Sequence, residues 1–282
     1  MLAALRLVRA GNVLVSLVGA LVGGLVVRGI GYRLPTYDWV LLLLAGASTA
    51  AVTAAGNVLN DLLDIDGDRT NHPDRPLVTG AVSPRGARIA TVGLFAAGVA
   101  LGVPVALAHP LDAVVLAVAV GSLLTYELRL KRAGFTGNLL VALLTGLVFL
   151  YGGGAVGLPV VVVPFAAMAF LATLSREVIK DMEDAAGDVG RSTLPRTRGL
   201  PAATAVARAA VGAAIALSAL PLLWFVRPAS AVGLLYLGLV AAADAVFVVS
   251  VLRLPERLHF EQSTSKAAMT IALLAFVAVA FR

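Results

Sequence analysis

The chain has 282 residues, 60% of them hydrophobic and only 13% charged, with a mean hydropathy of +0.95. A soluble domain is about half apolar and about a quarter charged, so this composition excludes an aqueous globule and requires a lipid solvent. There is no cysteine, which excludes disulfides and thiolate chemistry, and the net charge of +6 admits nucleic acid as a partner only if the positions of the charges support it.

Nine apolar runs follow one another, at about 12–30, 39–62, 87–108, 112–127, 138–154, 159–180, 202–226, 230–252 and 265–281. Most are near the twenty or so residues that a membrane helix needs, whereas barrel strands would be shorter and polar on one face. The interruptions carry Gly, Pro and charge, as turns do. The first run, from Val13 to Val27, is long for a signal-peptide core and no small-x-small site ends it, so it reads as a retained helix. The expectation is one all-α, polytopic membrane domain over residues 1–282, with nine transmembrane helices.

Charge placement supports that count. With the N-terminus in the cytoplasm, eighteen of the 22 Lys and Arg fall in cytoplasmic segments, and only Arg28, Arg33, Arg227 and Arg282 fall outside. Positive charge concentrates on the cytoplasmic side of membrane proteins, and a wrong helix count would scramble the bias. Topology therefore accounts for the basic charge, and nucleic acid has no place as a partner.

The acids are more informative. Ten of the 16 fall in two clusters. The first is Asn57-Val-Leu-Asn60-Asp61-Leu-Leu-Asp64-Ile-Asp66-Gly-Asp68, followed by Arg69 to Pro76 with Asp74 and Arg75. The second is Arg176-Glu177-Val-Ile-Lys180-Asp181-Met-Glu183-Asp184-Ala-Ala-Gly-Asp188. They end the second and sixth apolar runs, on the same side of the membrane. On a continuous helix, Asn60, Asp64 and Asp68 drift by only about 40° per step, with Asn57 and Asp61 near the same stripe. Glu177, Asp181, Asp184 and Asp188 likewise share a face, while Glu183 points away. Two helices thus each present a column of carboxylates, and the columns are expected to face one another.

Solvated loop acids would not explain why these acids gather at helix ends while other loops are basic. A carboxylate near the bilayer costs roughly 2.5–3.5 kcal/mol on insertion scales, and crowded carboxylates repel. A divalent cation relieves both. Magnesium binds through a few carboxylates plus substrate phosphates, while the three histidines, His72, His109 and His259, and the absence of Cys argue against zinc. Facing Asp columns around Mg2+ would make a diphosphate receptor. Arg69, Arg75 and Lys180 flank the acids, and Tyr126-Glu-Leu-Arg129-Leu-Lys131 follows the fourth run on the same side. Such cations hold phosphate oxygens and stabilise a leaving diphosphate.

These residues resemble a family. Asn60-Asp61-x-x-Asp64-x-x-x-Asp68 is similar to the first signature of the UbiA-type intramembrane prenyltransferases, and Asp181, Asp184 and Asp188 to the second. The segment from Tyr126 to Lys131 resembles the cytoplasmic stretch after helix four, and Arg9-Ala-Gly-Asn12 the element that opens helix one. The resemblance implies nine helices around a central cavity, with acidic loops at about 61–86 and 181–200 as a cytoplasmic cap. It implies a prenyl diphosphate bridged by Mg2+ through Asn60, Asp64, Asp68, Asp181, Asp184 and Asp188. Asp64, Asp68, Asp181, Asp184 and Lys131 would be catalytic. Arg9, Asn12, Asn57, Asn60, Asp61, Arg69, Arg75, Tyr126, Arg129 and Lys180 would bind substrate.

The second signature, followed by Ser192-Thr-Leu-Pro195, is similar to the archaeal ether-lipid branch, which alkylates the free hydroxyl of geranylgeranylglyceryl phosphate. The donor expected is then geranylgeranyl diphosphate, at the cell membrane with the site facing the cytoplasm. An aromatic acceptor such as 4-hydroxybenzoate is the alternative. Membrane alcohol phosphotransferases carry one contiguous acidic signature rather than two, and a cation transporter would place acids near the midplane, where only Asp244 lies.

Overall fold

A computed structural model describes residues 2–131, 133–185, 192–225, 227 and 229–281. Among these, nine helices are long and apolar enough to cross a membrane. They are α1 (Ala10–Leu25, continued by a tighter turn Val26–Ile30), α2 (Thr36–Leu63), α3 (Pro84–Ala108), α4 (Pro110–Thr125), α5 (Phe135–Ala155), α6 (Pro159–Asp184), α7 (Leu194–Ser218), α8 (Ala231–Leu252) and α9 (Leu258–Val279). The chain is a multi-pass membrane protein, as its hydropathy requires.

Local chemistry sets the helix starts. Pro84, Pro110 and Pro159 stand in the first turns of α3, α4 and α6, where proline's missing N–H costs nothing. Ser83 and Ser230 cap α3 and α8 by accepting from the amides of Gly86 and Gly233 at 3.1 and 3.0 Å. Two starts lie ahead of the apolar runs. α9 begins at Leu258 rather than near 265, because its polar first turns are helical and bury Glu261 and Ser265 on one side. α7 begins at Leu194, with a break at Gly199, whose φ of 83° only glycine adopts readily, just before Pro201.

Packing follows chain order in part: α2 lies on α3, α5 on α6, α6 on α7, and α8 on α9. α1 returns to pack on α2 and α5. The α1–α5 seam depends on small residues. A Cβ on Gly152 would stand 1.8 Å from the Ala20 carbonyl oxygen, and one on Gly23 would stand 2.3 Å from that of Phe149. Small residues let membrane helices approach closely, because lipid supplies no hydrophobic force to bring them together. Single hydroxyls also tie neighbours: Ser48 to the Gly98 carbonyl at 2.7 Å, Ser175 to that of Ala207 at 3.1 Å, and Tyr236 to that of Ser218 at 3.0 Å.

The two halves of the bundle differ. Toward the Gly31 end, Val22, Val26, Leu42, Val162, Phe165, Phe225, Phe276 and Val279 form a solid apolar core. Toward the acidic ends of α2 and α6 the helices enclose a cavity of about 630 Å3.

Candidate active site

The cavity is walled by apolar side chains such as Leu116, Leu123, Val141, Leu144, Met168 and Leu273, drawn from α4, α5, α6 and α9. Its polar rim comes from α1 (Arg9, Asn12), α2 (Asn57, Asn60), the turn after α4 (Glu127) and α6 (Arg176, Glu177). Both acid-bearing helices therefore open onto one chamber. Its volume lies within the range of about 300–1,000 Å3 usual for small-molecule sites.

The first cluster departs from the expected single stripe. α2 ends at Leu63, Asp64 leaves helical geometry (φ −99°, ψ 5°), and a separate short helix runs from Ile65 to Asn71. The column is therefore split, because the stripe assumed a helix continuous through Asp68. Asn57 and Asn60 face the chamber. Asp61 and Asp68 are buried, and Arg75 clamps both: Nη1 donates to Asp61 Oδ1 at 3.0 Å and to Asp68 Oδ2. Arg9 donates to the same Asp61 oxygen at 2.6 Å and to Asn60 Oδ1 at 2.7 Å. Asn57 donates to the Val8 carbonyl at 2.8 Å, holding the chain that leads into α1. Arg9 itself has φ 52°, an uncommon left-handed conformation for a residue with a Cβ, and the ion pair holds its side chain there.

Asp64, 35% exposed, pairs with Lys131. Lys131 also lies 3.3 Å from Glu127, and Asn60 Nδ2 donates to both Glu127 oxygens at 3.1 Å. Tyr126–Leu130 is a π-helical turn, a rare geometry frequent at functional sites. It carries Glu127 on the cavity wall and Lys131 at its end. Glu127 is a site residue that sequence spacing did not single out, although its place between Tyr126 and Lys131 was the available signal.

In the second cluster, Asn138 at the start of α5 donates to Asp181 Oδ2 at 2.7 Å. Nothing in the sequence links these two residues. Arg176 pairs with Glu177 at the cavity rim, and Asp184 is exposed. Glu183 points elsewhere, to His259 at 2.8 Å, as its helical angle indicated. Asp188 lies outside the described residues. Three expected substrate cations stand apart from the chamber: Arg69 is 68% exposed with Asp66 at 4.0 Å, and Arg129 and Lys180 are exposed. Tyr126 is half-buried at the head of the π turn. Asp244 lines the chamber wall and accepts from Ser218 at 2.8 Å.

Asp61, Asp64 and Asp68 of the first cluster are thus paired with Arg9, Arg75 and Lys131. Among the described residues, no three carboxylates or imidazoles gather closely enough to hold an ion by themselves. The donor set is nonetheless all oxygen, with His109 and His259 at other places in the bundle. That chemistry suits a hard cation completed by substrate phosphate, the usual mode for magnesium.

An apolar chamber with one charged, cation-rich mouth suits a molecule with a long hydrocarbon tail and an anionic head, held within the bilayer. Comparison with known proteins gives that class its family: residues 16–274 match the UbiA prenyltransferase family, and the chain belongs to it. The chain is 38% identical over 257 residues to the digeranylgeranylglyceryl phosphate synthase of Methanoculleus marisnigri, covering 88% of this chain and 85% of that one. It is 37% identical to the enzyme of the same name from Methanopyrus kandleri, covering 99% of each. A solved digeranylgeranylglyceryl phosphate synthase superposes with a TM-score of 0.80 at 30% identity, over 99% of this chain and 97% of that one. A UbiA homolog from Archaeoglobus fulgidus bound to GPP and Mg2+ superposes with a TM-score of 0.66 at 16% identity over 99% and 100%, a likeness of fold alone.

Proposed function

We propose that this prenyltransferase moves a geranylgeranyl group from its diphosphate to the free hydroxyl of geranylgeranylglyceryl phosphate, forming the second ether of an archaeal lipid. The observation that carries the reading is the identity of 37% over 99% of the chain to a digeranylgeranylglyceryl phosphate synthase. The apolar chamber with its charged mouth supplies the matching chemistry.

The donor tail lies among the apolar walls and its diphosphate at the mouth. Asp64, at the break after α2, and Asp181 and Asp184, at the end of α6, would hold Mg2+ together with diphosphate oxygens. When bound, the ion would neutralise negative charge on the leaving group. Lys131 and Arg9 bind diphosphate oxygens and stabilise the charge that grows as the allylic C–O bond breaks and its electron pair leaves with the diphosphate. Arg75 holds Asp61 and Asp68 in place beneath them. The acceptor oxygen then forms the new C–O bond, and its proton passes to the departing diphosphate. The dry walls protect the allylic cation from water. The site faces the cytoplasm of the cell membrane, since the basic residues concentrate at this end.

The test offers purified protein, Mg2+ and labelled geranylgeranyl diphosphate with either geranylgeranylglyceryl phosphate or 4-hydroxybenzoate. Labelled digeranylgeranylglyceryl phosphate is expected. A prenylated benzoate in its place would overturn the acceptor while leaving prenyl transfer intact.

A further inference from the structure

The chamber is open at its side as well as at its mouth: Val15 of α1 and Thr270 of α9 both line it, and both are exposed on the outside of the bundle. A second lipid substrate can therefore reach the reacting carbon with its own tail along apolar walls such as Met269 and Leu273. If that lipid is a phosphomonoester, it brings a second anionic group to a mouth that already takes a diphosphate. Among the described residues that line the chamber, two are cationic, Arg9 and Arg176. Arg9 works on the α2 wall, where it donates to Asn60 and Asp61. Arg176 belongs to α6, is half-buried, and pairs with Glu177, its neighbour in sequence. Successive helical residues diverge by about 100°, so the pair forms with both side chains bent along the chamber wall. Glu177 takes Nη1, whereas a guanidinium carries five N–H donors in a planar fork. A cation within the bilayer is costly, and an ion pair with a single carboxylate about breaks even against desolvation, so the pair by itself stabilises little. The other edge of the fork fits a phosphate.

Depth along α6 agrees. The helix is continuous through Asp184, and Asp181 and Asp184 lie five and eight residues beyond Arg176, rises of about 7.5 and 12 Å. Arg176 is thus one to two turns inside the end that takes the diphosphate. The donor's allylic carbon hangs from that diphosphate and lies inside the same end. In a glyceryl phosphate with one ether, the free hydroxyl and the phosphate stand on neighbouring carbons. A hydroxyl about 3–3.5 Å from the allylic carbon therefore brings its phosphate to nearly the same level. We propose that Arg176 holds the phosphate of the acceptor lipid and makes this protein select a phosphorylated acceptor over its neutral counterpart. The inference rests on the prenyl-transfer reading. Glu177 fixes one edge of the guanidinium to the wall and leaves the other for the acceptor. The two anionic groups are then held from different helices, the diphosphate by Arg9 and Lys131 and the acceptor phosphate by Arg176, which limits their repulsion.

The experiment offers geranylgeranyl diphosphate and Mg2+ with either geranylgeranylglyceryl phosphate or the same glycerol ether without its phosphate, to wild type, Arg176→Gln, Arg176→Lys and Arg88→Gln. A site built to hydrogen-bond a substrate group rejects the analogue that lacks it, so wild type should favour the phosphorylated acceptor by about a hundredfold or more in kcat/KM. Arg176→Gln should lower that ratio at least about tenfold, through a higher KM for the phosphorylated acceptor, with the KM for the donor within about threefold of wild type. Arg176→Lys keeps the charge but loses the planar fork, and its ratio should fall between the two. Arg88 is exposed on α3, which does not line the chamber, and Arg88→Gln should keep the wild-type ratio. The ratio is internal to each variant, so partial loss of folded protein leaves it unchanged. A wild type indifferent to the phosphate, or a ratio in Arg176→Gln within about threefold of wild type, overturns the proposal. So does a donor KM raised by about tenfold with an unchanged acceptor ratio, which would put Arg176 on the diphosphate instead. Absence of transfer to either acceptor in wild type would overturn the reaction on which the proposal rests.

Discussion

Replacing Arg75 by Ala isolates the clamp under the site. Arg75 lies on the loop between the short helix after α2 and the start of α3, and its side chain is 22% exposed. It pairs with Asp61 and Asp68, whose side chains are only 3% and 8% exposed. Removing it leaves Asp61 with Arg9, and Asp68 without the one ion pair described for it. Breaking a buried pair from one side costs about 3–5 kcal/mol, since the remaining charge stays desolvated. Arg75 is partly exposed and Asp61 keeps Arg9, so the low end applies, about 3 kcal/mol of local stability, or about a hundredfold in the opening equilibrium. Native-state hydrogen exchange reads that equilibrium directly. The amides of Asp68, His72 and Thr79, bonded to the carbonyls of Asp64, Asp68 and Arg75, should exchange about a hundredfold faster in Arg75→Ala. Amides in the middle of α5 should be unchanged. Adding Asp68→Asn should recover part of the protection, because the uncompensated charge is gone. Exchange in the loop within about threefold of wild type would refute the clamp, since a surface ion pair contributes no more than about 1 kcal/mol.

Three other outcomes follow from the geometry. Lys131→Met, which keeps the stem but removes the charge paired with Asp64 and Glu127, should lower kcat of the folded protein by about a hundredfold or more; a rate within fivefold of wild type would remove Lys131 from the charge-stabilising role. Gly152→Ala should lower the melting temperature markedly, because its Cβ would stand 1.8 Å from the Ala20 carbonyl and force α1 off α5 at a cost of at least about 1–3 kcal/mol; Gly121→Ala, where a Cβ meets nothing within 4 Å, is the control. In this cysteine-free chain, Ala81→Cys and Arg33→Cys, both at loop positions, should react with an impermeant maleimide from opposite sides of the membrane; labelling from one side would refute nine crossings.

Much of this protein is legible in its sequence, for a plain reason. A helix in lipid satisfies its own backbone hydrogen bonds, so each crossing is a local property of about twenty apolar residues. The nine spans, and the gathering of the two acid clusters at one end of the bundle, can therefore be read from the sequence. Asp64, Asp181 and Lys131 could be nominated because charge gathered at the end of an apolar run is costly unless it binds something.

Other features depend on contacts between distant segments. The stripe through Asn60, Asp64 and Asp68 presumes a helix that the fold breaks at Asp64, where the chain turns so that Arg75 reaches Asp61 and Asp68. Glu127 looks like an ordinary loop acid until α4 brings it between Asn60 and Lys131. Arg69 and Arg129 have the same sequence credentials as Arg75 and Lys131, yet they point to solvent, because helical phase in a short loop is set by packing. The apolar wall of the chamber includes Phe149 of α5 and Phe276 of α9, two aromatics that nothing in the sequence brings together. Hydropathy sums along the chain and so determines which segments enter the membrane, but a cavity is the space left between helices far apart in sequence, and only their tertiary packing decides where it stops.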